Sequence, residues 1–106
     1  MTSEEFFEKL AISKNKLNWF YDCEMLRARV GNWEYVCPIT AVDFIINNVK
    51  LQPSRYEESA KRLGIKHSLA ENIAHAADCF DGLTEWQQKL RRKMLKILQL
   101  KEFKYV

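Results

Sequence analysis

Between Leu26 and Cys37 the hydrophobic period of the chain drops to two, in LRARVGNWEYVC, while later segments carry the three-to-four spacing of helices. Gly31-Asn32 supplies the positive φ values of a two-residue turn. This sets Val30 opposite Trp33, Arg29 opposite Glu34, Ala28 opposite Tyr35, Arg27 opposite Val36 and Leu26 opposite Cys37. One face then holds Leu26, Ala28, Val30, Trp33, Tyr35 and Cys37, and the other an Arg29–Glu34 cross-strand ion pair. A lone hairpin is marginal in water, so its apolar face has to lie on helices. The expected fold is therefore mainly α (α+β), a compact helical domain of about five helices with one β-hairpin near residues 26–37.

The helices are announced by their ends. Thr2 and Glu5 are spaced as a capping box ahead of Phe6, Phe7 and Leu10, which predicts a helix over about 3–13. The segment KLNWFYDCEM that follows fits neither period clearly. Pro38 suits the first turn of a helix to about Asn48, with Ile39, Val42, Phe44, Ile45 and Val49 as its apolar positions. Ser54 with Glu57 opens the next, which Gly64 ends by taking the left-handed conformation. Ser68 with Glu71 opens a helix to about Phe80, and Asp81-Gly82 breaks it. Thr84 with Gln87 opens the last helix, with Trp86, Leu90, Met94, Ile97 and Leu98 pointing inward and its basic residues outward.

A chain of 106 residues with 47% hydrophobic content and no linker-like tract is expected to form one domain, 1–106. Its start is acidic, unlike a secretory leader, and no apolar run approaches the length of a membrane span. Cys23, Cys37 and Cys79, an odd and scattered set, read as reduced thiols of a cytoplasmic protein. Charge is segregated. Seven bases stand against Glu102 alone from Lys89 onward, a net +6, whereas the first 88 residues hold ten bases and thirteen acids, a net −3. Such an end is either a solvated helix face or a surface for phosphates or an acidic partner.

In Tyr56–His75 a small Ala60 permits close helix approach, Gly64 allows a sharp turn, and Ile65 plugs the angle between two helices. The same residues describe two helices packed in a bundle. This stretch resembles the helix-turn-helix of the Cro and repressor type, best across Ala60-Lys61, Leu63-Gly64-Ile65 and Ser68. The resemblance implies that the second helix enters the major groove with Lys66, His67, Ser68, Glu71, Asn72 and His75. Asn72 would then pair with an adenine edge, Glu71 accept from a cytosine amine, and Ser68 serve a base or phosphate. Lys61, Arg62 and the last helix, through Arg91 and Arg92, would hold the backbone. Recognition by one short helix is weak, so the reading admits a homodimer.

Catalytic signals are thin. Cys37-Pro38-Ile39-Thr40 is similar to a thioredoxin-type motif with Thr40 in place of the second cysteine, but no βαβ pattern surrounds it. His75 and Cys79 sit four apart on one predicted helix without the paired short spacings of zinc sites. There is no glycine-rich phosphate loop and no nucleophile elbow. The sequence points away from an enzyme, and no cofactor, metal or membrane partner is expected. Two binding readings remain: a DNA-binding regulator, or a protein-interaction module or inhibitor docking through Trp19, Phe20, Tyr21, Trp33 and Tyr35.

Overall fold

The computed structural model describes residues 1–30, 34–48 and 56–104. In chain order these form α1 (Ser3–Ser13), β1 (Asn18–Asp22), β2 (Met25–Val30), β3 (Glu34–Val36), α2 (Pro38–Asn47), α3 (Tyr56–Leu63), α4 (His67–Asp78) and α5 (Glu85–Leu98). The fold is mainly helical with one antiparallel sheet in the order β1-β2-β3.

Where a helix end rests on local chemistry, it falls where the sequence puts it. Thr2 Oγ1 accepts from the Glu5 amide at 3.2 Å while the Glu5 carboxylate accepts from the Thr2 amide at 3.1 Å. That backbone donor, joined by the Thr2 hydroxyl, holds the Glu5 carboxyl below its ordinary pKa. Thr84 and Gln87 repeat the box at 3.1 and 3.0 Å. Pro38 occupies the first turn of α2. The Ser54–Glu57 box involves a residue outside the described ones.

The helix before α4 ends in a Schellman turn. Gly64 has φ +69°, the Ile65 amide donates to the Ala60 carbonyl at 2.9 Å, and the Gly64 amide to Lys61 at 3.1 Å. This sends Ile65 into the core and leaves Lys66 extended, so α4 begins directly at His67. The expected Ser68–Glu71 capping box is absent as a result. Ser68 already lies inside the helix, and Glu71 faces His67 instead, at 3.6 Å. α4 also ends at Asp78, short of Phe80, because Cys79 turns to extended backbone.

The sheet corrects the hairpin in two ways. Val30 pairs with Glu34, Arg29 with Tyr35 and Ala28 with Val36, one residue away from the expected register, and the Gly31-Asn32 turn lies outside the described residues. A one-residue slip exchanges the faces of a strand. Val36 therefore goes into the core opposite Ala28 while Tyr35 turns outward, 42% exposed, and Arg29 stands opposite Tyr35 in place of the expected Glu34. The second correction is β1, which pairs with β2 from Asn18↔Arg29 to Asp22↔Met25 around a turn at Cys23-Glu24, where Cys23 has φ +54°. Three successive aromatics hid its period: Trp19 and Tyr21 face the core with Ala28 and Leu26, and Phe20 lies outside against Tyr35.

All five helices and β2 contribute to one main apolar cluster, which includes Phe6, Leu10, Leu26, Ile39, Val42, Ile73 and Met94, all fully buried. Each such side chain stabilises the fold by about 1.5–3 kcal/mol relative to exposure. α2 is at the centre, buried without interruption from Pro38 to Asp43. Asp43 is 0% exposed and is held at 2.8 Å by Arg62 of α3 and at 2.7 Å by Asn47. The Asp43 bond raises the Arg62 pKa and commits that side chain to the fold. Four buried alanines, Ala70, Ala74, Ala76 and Ala77, let α4 approach its neighbours closely.

Gly64 is the position at which backbone conformation most directly controls the helix pair. Gly64→Ala is expected to lower stability by about 1–2 kcal/mol, the cost of a Cβ in left-handed backbone, and Gly64→Asn by less. Urea unfolding of the two variants checks the order.

Candidate nucleic-acid interface

The α3–α4 pair packs its apolar residues inward and leaves one polar ridge outside. At 100° per residue His67, Ser68, Glu71 and His75 share one side of α4, opposite Ala70, Ile73 and Ala77. These four and Lys66 are exposed. The sheet reaches α4 at its C-terminal end, where Arg27 pairs with Asp78 at 2.7 Å, and leaves the ridge uncovered.

The remaining three sequence-predicted residues divide. Asn72 is half-buried between α4 and α5: its amide donates to the Ser68 carbonyl at 2.6 Å and its oxygen accepts from Gln87 at 3.0 Å. Arg92 is exposed on α5. Arg91 corrects the expectation that every basic residue of this helix points outward, for it is 2% exposed. Its Nη1 donates to the carbonyls of Ala76 and Ala77 at 2.9 and 3.2 Å, Nη2 to that of Glu24 at 3.1 Å, and Nε to Glu102 at 3.0 Å. A guanidinium so enclosed has no phosphate to reach.

Lys89, Lys93 and Lys96 instead accompany Arg92 on the outer side of α5, all exposed. Positions 89, 92, 93 and 96 are spaced i, i+3, i+4 and i+7, so helical periodicity alone groups them and excludes 91. Lys93 also lies 4.6 Å from the Phe7 ring centroid, beside a groove of about 390 Å³ lined by Glu4, Phe7, Glu8, Lys93 and Ile97. Among the described residues Lys89, Arg92 and Lys96 have no ion-pair partner. Trp86, expected inside, is 49% exposed one turn before Lys89.

The start of α3 carries the opposite sign. Burial raises the Tyr56 phenol pKa, and the negative charges of Glu57 and Glu71 raise it further. Of the aromatic residues expected to dock a protein, Trp19 and Tyr21 pack on the core and Trp33 lies outside the described residues. Phe20 and Tyr35 stand edge to face at 5.0 Å, with the Arg29 guanidinium over both rings.

Cys23 is exposed, while Cys37 and Cys79 are half-buried, with Cys37 Sγ 3.4 Å from the Thr40 hydroxyl. Among the described residues no three His, Cys, Asp or Glu side chains gather to hold a metal, and no helix is long and apolar enough to cross a membrane. No protein family, no curated protein and no solved structure matches the chain, and the reading of this surface rests on its own geometry.

The two adjacent arginines differ in burial and in the hydrogen bonds that burial carries with it. Arg91→Ala is expected to destabilise by about 3 kcal/mol, through a cavity and carbonyls left without their donor. Arg92→Ala should stay within about 0.5 kcal/mol of the unmodified chain, as surface substitutions do. Thermal melts of the pair measure the difference.

Proposed function

We propose that this chain is a non-enzymatic DNA-binding protein that presents α4 to the major groove and uses α5 against the phosphate backbone. The observation that carries the reading is the uncovered ridge of His67, Ser68, Glu71 and His75 on a chain whose α5 exposes four cations along one stripe. In this reading Ser68, Glu71 and the histidines meet base edges, and Lys66 meets phosphate at the start of the helix. Asn72 supports the ridge from behind through Gln87. Arg92, Lys89, Lys93 and Lys96 supply sequence-independent attraction, and two copies on paired half-sites would raise the affinity of a single short helix.

A second reading has an observation of its own. The Phe20–Arg29–Tyr35 cluster puts two rings and a guanidinium on the outer face of the sheet, a composition enriched at protein-binding hot spots. It takes precedence if DNA binding is absent.

Selection from a randomised duplex pool at low salt distinguishes them. Enrichment of one sequence supports the DNA reading; no enrichment together with no binding at low ionic strength overturns it. On an enriched site, Glu71→Ala should lose about 1–3 kcal/mol of discrimination at one base pair. Lys89→Ala with Arg92→Ala and Lys96→Ala should weaken all sequences alike and reduce the salt slope by about 0.9 for each phosphate no longer neutralised.

A further inference from the structure

Beyond α5 the chain turns back across the molecule. Gln99 takes left-handed backbone at φ +56°, the Leu100 amide closes on Leu95 at 2.9 Å, and residues 101–104 then run without regular structure. Among the described residues these four make no backbone–backbone hydrogen bond to a strand or helix. Among the described contacts that hold them are three of different chemistry. The Tyr21 hydroxyl donates to the Lys101 carbonyl at 2.6 Å, Arg91 Nε meets the Glu102 carboxylate at 3.0 Å, and the Phe103 ring lies 5.5 Å from both Tyr21 and Phe80.

The receiving side is fixed independently of that segment. Both terminal nitrogens of Arg91 are tied to carbonyls of α4 and of the β1–β2 turn, and its guanidinium lies 5.8 Å from the Tyr21 ring centroid. Nε is left facing the place where a carboxylate sits. A buried, positioned guanidinium beside an aromatic slot and a hydroxyl that bonds any main-chain carbonyl is a peptide-recognition arrangement.

We propose that Arg91, Tyr21 and Phe80 form a binding site for a protein segment in which a carboxylate residue is followed directly by an aromatic one, and that Glu102-Phe103 fills this site in cis. The Glu102 side chain is 43% exposed and, among the described residues, no strand pairing secures the segment, an attachment that a competing segment can displace while the site persists. A tethered occupant competes at an effective concentration on the order of mM, so a partner segment meets a latched site in the unmodified chain. The site is distinct from the α4 ridge and stands whether or not that ridge reads DNA.

The test uses the full chain carrying Glu102→Ala and Phe103→Ala, with a labelled synthetic peptide of residues 100–106 followed by fluorescence anisotropy. The unlatched chain should bind the peptide at least about tenfold more tightly than the unmodified chain, the scale of a charge-assisted hydrogen bond. Peptides with Gln in place of the glutamate or Ala in place of the phenylalanine should each lose about as much. Equal binding by the two chains, or by the three peptides, overturns the proposal. Should the unlatched chain fail to fold, the unmodified chain titrated with peptide to concentrations on the order of mM decides by NMR. Shifts of the Arg91 Nε–H and Phe103 ring signals support displacement, and unmoved signals overturn it.

Discussion

The Arg91 guanidinium is the interaction through which separately formed parts of this fold are joined. Moving an unpaired charge out of water costs several kcal/mol, so a side chain 2% exposed has to be met by acceptors, and each of the three guanidinium nitrogens of Arg91 has at least one. Ala76 and Ala77 lie in the last turn of α4, where carbonyls lack helical partners and the helix dipole is negative. Arg91 thus caps α4 from α5. Its other donors reach the turn between β1 and β2 and the carboxylate beyond Leu100. The planar fork makes this possible: a lysine has one point charge and cannot face four acceptors in three directions.

Asp43 is the complementary case. The carboxylate is fully buried on central α2, and its partner Arg62 remains 43% exposed at the side chain, so the cation is only partly desolvated. The contact ties α3 to α2, leaving Gly64 and Ile65 to set how α4 departs from α3. One buried cation and one buried anion therefore fix α4 from opposite ends: Arg91 at its C-terminus, and Asp43 through the helix that feeds its N-terminus. The outer ridge of α4 is consequently borne by a helix anchored on both sides, which a binding surface requires if its side chains are to keep their spacing.

What the sequence revealed was what depends on near neighbours. The Thr2–Glu5 and Thr84–Gln87 boxes, Pro38 at a helix start and Gly64 at a helix end are reciprocal hydrogen bonds or single-residue dihedral preferences, complete within a few residues. Ser68 and Glu71 had the same spacing and failed, because Gly64 and Ile65 had already determined where the next helix starts. The strand register was not local either. Alternation in LRARVGNWEYVC fits two registers, and the choice fell to burying Val36 rather than Tyr35, whose hydroxyl gains from solvent and accepts from Arg29 at 3.2 Å. Adjacent Trp19, Phe20 and Tyr21 carry no hydrophobic contrast, so a strand buried on one side with an aromatic on both was invisible to a period count. At the candidate interface, periodicity exposed the α4 ridge but composition misled on α5, since counting Arg91 among the surface charges ignored that position 91 falls on the inner arc with Leu95 and Leu98.

Removing Arg91 from the surface changes what α5 is able to do. The remaining stripe from Lys89 to Lys96 spans about 10 Å at 1.5 Å per residue, the length along which one DNA strand presents about three phosphates. Contacts of that number give attraction that is weak and strongly salt-dependent, and Glu57, Glu58 and Glu71 oppose it from the α3–α4 side. In the DNA reading, an α5 stripe of this size would hold the molecule near DNA without selecting a site. Selectivity, in the DNA reading, then falls to α4, whose ridge of His67, Ser68, Glu71 and His75 has no lysine and offers hydrogen-bond donors and acceptors. In the DNA reading, the division of charge between the two helices, cations on α5 and mixed polar groups on α4, would also be a division of labour between attraction and discrimination.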